Sequence, residues 1–433
     1  MNVHDSEQIA ELMKDQGYRV TDDEKRADLV IVNTCSIRAK AEQKAYSTLG
    51  RFRRMKEDNP SMIIGVGGCL AQQLGTKFFK KLPYLDLVFG THNIHRLPEL
   101  VRTVERTGDR VSETTFHETV PSLGIVTPPS NGNICSFVTI MQGCNNFCAF
   151  CVVPYLRGRE ESRLPDAIIE EIRCLTDNDI REVTLLGQNV NSYGKTLPDD
   201  VDFSQLLRKI ADIDGVRRIR FTTSHPKDLS ESLVACFADI DKLCKHIHLP
   251  VQSGSDNILK KMNRHYTVDD YLDKVDKLRK ACPEISLSTD IIVGFPGETE
   301  KDFQKTIDLM EKVRFDSSFS FKYSRRLGTA AAGFDNHVPE DAKAKRLSIL
   351  QSLQERHMIA SNQACVGTVE HVLVEGYSKN SQADIMGRTG SNKIVNFTGD
   401  IEKVGTIVPV KIQKAYTHSL RGELLTRKGD ERC

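Results

Sequence analysis

The sequence predicts an α/β chain in three parts: a doubly wound, flavodoxin-like amino-terminal domain, a partial barrel of six βα units, and a small carboxyl-terminal β-barrel of OB-like size. Three observations carry this. A short apolar run, a small polar turn and a helical stretch recur in ADLVIVNTCSIRAKAEQKAYSTLGRF, SMIIGVGGCLAQQLGTKFF and LDLVFGTHNIHRLPELVRTV. Buried runs alternating with helices imply parallel strands covered on both faces. Six further runs, SFVTIM, EVTLLGQN, RIRFTTS, HIHLPVQS, STDIIVGFPG and SSFSFKYS, alternate with helical stretches over the middle of the chain, as a barrel with its chemistry at the strands' carboxyl ends requires. The last segment changes to short alternating strands punctuated by Gly, Asn and Asp, which suits a small antiparallel barrel.

In order, Met1–Lys14 reads as an amphipathic helix with charges throughout, unlike a secretory leader. The amino-terminal domain is expected over 1–106. Cys35 and Cys69 occupy equivalent places in it, each just past a strand's carboxyl end, the edge where open α/β sheets present ligands. Residues 107–133, polar and carrying Pro121, Pro128 and Pro129, read as a linker. The barrel and its helical connector, Pro339–Gln363, are expected over 134–363, with the clearest helices at Ala167–Leu175, Leu229–Phe237, Val268–Ala281 and Thr299–Val313. The terminal barrel is expected over 364–428.

The chain has 433 residues, with 60 Lys+Arg against 59 Asp+Glu. The bulk charge announces no polyanion partner, and an RNA surface must be a local patch. No apolar run is long enough to cross a bilayer, which points to the cytoplasm and away from membranes. Twelve cysteines in such a chain read as metal ligands or buried thiols sooner than as disulfides.

The decisive stretch is MQGCNNFCAFCVVPYLRGRE, Met141–Glu160, with Cys144, Cys148 and Cys151 at CxxxCxxC spacing directly after the first barrel strand. Thiolates so spaced curl around one corner of an iron–sulfur cube, and Phe147 and Phe150 shield it from water. Cys174, the next cysteine, sits in mid-helix and is expected to face the core, so one iron is left without a protein ligand. The alternative is a zinc site or buried thiols, but structural zinc usually takes four ligands in two dyads.

This pattern resembles the radical S-adenosylmethionine superfamily. The resemblance implies a [4Fe-4S] cluster held by Cys144, Cys148 and Cys151, whose open iron chelates S-adenosylmethionine and cleaves it to a 5′-deoxyadenosyl radical. NTCSIRAKAEQK, GVGGC, LLGQNVNSYG, RFTTSHP, HLPVQSGSDNIL, IIVGFPGETE and VNFTG extend the likeness over nearly the whole chain, which is similar to the bacterial methylthiotransferases that modify transfer RNA. That family implies an auxiliary [4Fe-4S] cluster on Cys35 and Cys69, a partial (βα)6 radical domain and a carboxyl-terminal RNA-binding TRAM domain. The implied reaction places a methylthio group on C2 of N6-dimethylallyladenosine beside the anticodon. Implied partners are the anticodon stem-loop and a flavodoxin-type electron donor, with the enzyme a monomer. The family motif begins with a Gly-Cys-Gln upstream of MNVHDSE, so the third auxiliary cysteine and a first strand are expected to be missing from this chain, with Cys135 a remote substitute. Alternatives are a sibling enzyme acting on threonylcarbamoyladenosine or a ribosomal-protein aspartate, and a cluster-carrying RNA-binding protein without catalysis.

Cofactor contacts are expected from strand-end residues: Gly187, Gln188 and Asn189, then Ser224, then Gln252 and Ser253, then Gly294 in a tight turn. His225 is a lesser candidate for acid–base work, since a lone His is more often structural. Arg157, Arg159 and Arg163 are candidates for phosphate contact, with a solvated basic stretch as the plainer reading. Lys379, Arg388, Lys393, Lys411, Lys414 and Arg421 are the basic residues with which the last barrel would grip RNA. Cys236, Cys244, Cys282 and Cys365 read as buried or incidental thiols.

Overall fold

The computed structural model describes residues 1–36, 39–117, 133–379 and 381–425. Most of the expected linker, 118–132, and the last residues of the expected terminal domain lie outside them. The described residues form two compact units: one holds those up to 117 with 142–145 and 152–161, the other holds the rest.

In the first unit, α1 (Asn2–Lys14), β1 (Leu29–Thr34), α2 (Ala39–Asp58), β2 (Ile63–Gly68), α3 (Cys69–Leu74), β3 (Leu87–Phe89), α4 (Leu97–Thr107) and β4 (Val111–Glu113) follow in order. The four strands are parallel and lie in chain order across the sheet. Side chains alternate between the two faces. Ile64, Val66 and Val88 pack with Leu49 and Phe52 of α2 on one face, while Ile63, Leu87 and Phe89 pack with Ile9 and Met13 of α1 and Leu100 and Val104 of α4 on the other. Both faces are thus covered, as a parallel sheet demands. β4 falls within the stretch expected as linker. Val111 packs into the second of these clusters, so its apolar side chain extends the sheet by one strand.

In the second unit, six parallel strands are β5 (Cys135–Thr139), β6 (Glu182–Leu186), β7 (Arg218–Phe221), β8 (His246–His248), β9 (Ser286–Val293) and β10 (Ser317–Lys322). They form two three-stranded ladders joined by a parallel bridge between Ile219 and Leu243. The major helices between them are α5 (Pro165–Asp177), α6 (Phe203–Ala211), α7 (Glu231–Asp239), α8 (Val268–Ala281) and α9 (Glu300–Val313), and α10 (Glu340–Gln363) follows β10. The run HIHLPVQS is a continuous strand only over His246–His248, and past Pro250 it pairs again at a single parallel bridge between Gln252 and Ile291. α6 is absent from the four clearest helices of the sequence, yet it carries a capping box between Asp202 and Gln205, a signal readable in the sequence.

The chain ends in a closed barrel of β11 (Val369–Ser378), β12 (Ser381–Arg388), β13 (Ile394–Thr398), β14 (Ile407–Ala415) and β15 (Leu420–Leu424). Among the described residues of the barrel only β13 and β15 pair in parallel. Val372, Val374, Ile385, Val395, Phe397, Val410, Ile412 and Leu420 fill it. Two arginines of β7 hold this barrel. Arg218 donates to the carbonyls of His371 (2.6 Å) and Arg388, and Arg220 donates to that of Thr389 at 2.8 Å. Arg220 Nε also reaches Glu182 Oε1 at 2.8 Å, both residues being buried. A buried pair is hard to break from one side, because the remaining charge stays out of water. Glu182→Gln is therefore expected to lower the unfolding free energy by about 3–5 kcal/mol in denaturant titrations, and Glu182→Leu combined with Arg220→Leu to recover most of the loss.

Candidate functional site

The β1–β2 ladder pairs Thr34 with Gly68, so Cys35 and Cys69 are the next residues of adjacent strands at one sheet edge. Glycines make this approach: a Cβ on Gly68, whose φ is +89°, would stand 2.4 Å from Asn33 Oδ1 and 2.5 Å from the Thr34 carbonyl. Cys69 is buried and Cys35 half-buried. Burial pushes the Cys69 thiol up, while Arg157 beside it pulls the other way. Arg157 is buried and meets the buried Asp5 at 2.5 Å. Its guanidinium is kept protonated, against the cost of burial, by Asp5 and Cys69. Arg157 is therefore committed inside the protein and is not free for phosphate. Neither was Asp5 foreseeable: it lies about 150 residues away in sequence, in the first turn of α1.

The CxxxCxxC loop follows β5. Within it, Phe147 adopts φ +47°, and at the strand ends beyond β7 and β8, Thr223 and Gln252 adopt φ +71° and +72°. Such left-handed backbone is uncommon outside glycine, costs about 1–3 kcal/mol, and clusters at functional sites. Gln252 is held there by its own ladder, its N–H donating to the Asp290 carbonyl at 2.8 Å and its carbonyl accepting from Ile292 N at 3.0 Å. Around Cys148 two N–H groups converge. Arg264 Nη1 donates to the sulfur at 3.3 Å, and His225 Nε2 lies 4.0 Å from it. His225 Nδ1 accepts from Lys227 N at 3.2 Å, which leaves the proton on Nε2, facing the sulfur. Burial, then the cations Arg264 and Lys227, push the imidazolium pKa far down. With Nε2–H facing the sulfur, His225 is placed as a hydrogen-bond donor toward Cys148.

Among the expected cofactor contacts the structure separates two groups. Asn189 donates to Asp228 Oδ2 at 2.7 Å, but its Oδ1 is buried without a protein partner, as are Ser224 Oγ and Gln252 Oε1. Gln188, next to Asn189 in sequence, is half-buried. Gly187, Ser253 and Gly294 are engaged in the scaffold. A Cβ on Gly187 would stand 2.5 Å from Met141 Cγ, and one on Gly294 2.3 Å from Lys343 Cγ. The Gly294 N–H donates to Glu298 Oε2 at 2.6 Å, and Ser253 Oγ bonds with Thr306 and accepts from Ser255 N. Among the described residues no three His, Cys, Asp or Glu side chains converge as a metal set. Cys174 is half-buried, not in the core, and Cys236, Cys244 and Cys282 are buried. No helix among the described residues is long and apolar enough to cross a membrane.

Three family models match the chain: the Radical SAM superfamily over residues 138–310, Uncharacterized protein family UPF0004 over 1–90, and the TRAM domain over 363–425. The fold is similar to that of the radical S-adenosylmethionine methyltransferase TsrM from Kitasatospora setae, solved with cobalamin and a [4Fe-4S] cluster. The TM-score is 0.57 at 15% identity, covering 86% of this chain and 74% of that one. Fold and matches together define a radical S-adenosylmethionine protein that carries a TRAM domain. Over its full length the chain is 58% identical to the tRNA-2-methylthio-N(6)-dimethylallyladenosine synthase of Syntrophus aciditrophicus, covering 98% of this chain and 92% of that protein. It is 54% identical to the synthase of the same name from Geobacter sulfurreducens, covering 100% and 97%. The chain belongs to this family of radical S-adenosylmethionine methylthiotransferases.

The unpartnered hydroxyl of Ser224 gives a prediction. Ser224→Ala removes a buried polar group that makes no protein hydrogen bond, so the unfolding free energy should stay unchanged or rise by about 1 kcal/mol. A denaturant titration showing a loss above about 1 kcal/mol would mean that the hydroxyl has a protein partner.

Proposed function

We propose that this enzyme adds a methylthio group to C2 of N6-dimethylallyladenosine beside the anticodon of tRNA. The observation that carries the reading is the Cys144/Cys148/Cys151 motif directly after the first strand of a six-stranded parallel barrel, in a chain that shares more than half its residues with full-length synthases of that name. Cys144, Cys148 and Cys151 hold a [4Fe-4S] cluster that, when bound with S-adenosylmethionine, supplies the 5′-deoxyadenosyl radical. The donor set supports this: three thiols in one loop, with two N–H groups directed at the Cys148 sulfur. Cys35 and Cys69 contribute to an auxiliary cluster, where Arg157 offsets the negative charge of thiolates in a buried place.

The residues at the strand ends bind and orient. Asn189, Ser224 and Gln252 offer buried polar atoms to the amino-acid and ribose groups of the cofactor, with Gln188 next to Asn189 in sequence, while Gly187, Ser253 and Gly294 shape the loops that present them. Each unpaired buried acceptor or donor is a site where a polar ligand gains a hydrogen bond that the protein has already desolvated.

The RNA surface belongs to the terminal barrel. Three of its six basic residues are engaged elsewhere: Arg421 pairs with Asp384 at 2.7 Å, Arg388 with Glu375 at 3.6 Å, and Lys393 donates to Ser361 and Asn362. Lys379, Lys411 and Lys414 are exposed, and Tyr377 and Tyr416 present exposed rings, with Lys414 over Tyr416. Exposed lysines for phosphates and rings for unstacked bases suit a single-stranded loop. The enzyme acts as a cytoplasmic monomer that receives electrons from a flavodoxin-type protein.

The direct test is nucleoside analysis of tRNA incubated with the reconstituted chain, S-adenosylmethionine and reductant. The expected product is the 2-methylthio derivative of dimethylallyladenosine. A mark on threonylcarbamoyladenosine alone would reassign the enzyme to a sibling activity, and tRNA binding without 5′-deoxyadenosine would reduce it to a binding protein. Cys148→Ala is expected to abolish 5′-deoxyadenosine formation, whereas Cys69→Ala should keep it and abolish methylthio transfer. Lys414→Ala with Tyr416→Ala should weaken tRNA binding by tenfold or more, given about 1–3 kcal/mol per stacked base, and make it less salt-dependent.

A further inference from the structure

Arg264 is 4% exposed. Nη2 donates to the Pro250 carbonyl at 2.7 Å, Nε to the Tyr266 hydroxyl at 3.0 Å, and Nη1 to Cys148 Sγ at 3.3 Å. The Tyr266 hydroxyl is itself fixed, donating to the Val251 carbonyl at 2.8 Å, and the guanidinium stands 5.3 Å from the centre of that ring. Among the described residues no Asp or Glu pairs with Arg264, whose partners are the Pro250 carbonyl, the Tyr266 hydroxyl and the Cys148 sulfur. A guanidinium stays protonated in any protein site, and a buried charge without a counter-charge is strongly unfavourable. The two other oxygens it meets are neutral. The sulfur is the partner able to carry the balancing negative charge.

The strap around it confirms that the contact is built. The Met262 carbonyl accepts from Ala149 N at 2.9 Å, and Asn263 Nδ2 donates to the carbonyls of Asn146 (3.3 Å) and Phe147 (3.1 Å). Three consecutive residues, 262 to 264, thus engage the cysteine loop over 146–149. Asn263 takes φ +59° to do so, a conformation that Asn tolerates better than most residues.

We propose that Arg264 is a positioning residue for the radical cluster: its guanidinium holds the Cys148 thiolate as a ligand and raises the cluster's reduction potential. The proposal rests on the assignment of Cys144, Cys148 and Cys151 to a [4Fe-4S] cluster. Reduction adds one electron to the cluster, and a fixed cation on a ligand sulfur stabilises that added charge. A donor of given potential then reduces the cluster more readily. His225, with its N–H facing the same sulfur, acts in the same direction.

The test uses the full chain with Cys35→Ala and Cys69→Ala, reconstituted anaerobically so that the radical cluster alone remains. Iron content and an EPR-monitored redox titration are read for this parent, Arg264→Met and Arg264→Lys. The expected result is about four irons per chain in the parent and a midpoint potential lower in Arg264→Met by at least a tenfold change in the reduction equilibrium, about 59 mV for one electron. Arg264→Lys, which keeps the charge without the fork, should fall between. Should the Met variant lose its iron, a Lys variant that retains iron and shows a smaller fall still supports the clamp. An unchanged potential in an iron-retaining Met or Lys variant overturns the clamp alone. A parent without iron overturns the cluster assignment, and the clamp with it.

Discussion

Parallel strand pairing is the constraint from which the rest of this structure follows. Parallel neighbours need a crossover between them, and the crossovers here are helices that cover the sheet in the first unit on both faces. The same pairing sends every carboxyl end to one edge. Cys35 and Cys69 are thereby carried to adjacent strand ends, and the cysteine loop, Asn189, Ser224 and Gln252 all follow strands of the barrel. Residues more than a hundred positions apart share an edge because the ladders leave no other place for the turns.

Buried arginines are the second organising element, and they differ in what balances them. Arg157 is balanced by Asp5 and Arg220 by Glu182, both at hydrogen-bond distance. Arg264 has a sulfur in the corresponding place. The first two cations give rigidity: one ties α1 to the neighbourhood of Cys69, and the other ties β6 and β7 to a loop of the terminal barrel. The third places a buried cation directly against a cysteine sulfur.

The terminal barrel shows how a nearly neutral chain can still address a polyanion. Several of its basic residues are spent on carboxylates and on docking, which leaves a few exposed lysines next to exposed tyrosines. Exposed lysines beside exposed aromatic rings are features that in general suit unpaired bases sooner than a regular duplex.

The sequence by itself determined the class of each part. Periodicity distinguished parallel α/β from antiparallel β, and the CxxxCxxC spacing is a local property that needs no tertiary information. Capping signals such as Asp202 with Gln205 were equally legible. The tertiary structure alone decided which polar residues are free to act. Arg157 reads as a candidate phosphate contact in sequence but is buried on Asp5, and the structure adds that Gly187 and Gly294 have no room for a side chain, because Met141 and Lys343 lie where a Cβ would stand. His225 and Arg264 carry no motif that marks them as neighbours of Cys148. Periodicity and spacing are set within a few residues of chain, whereas the partner of a buried charge is set by which distant segments the fold brings together.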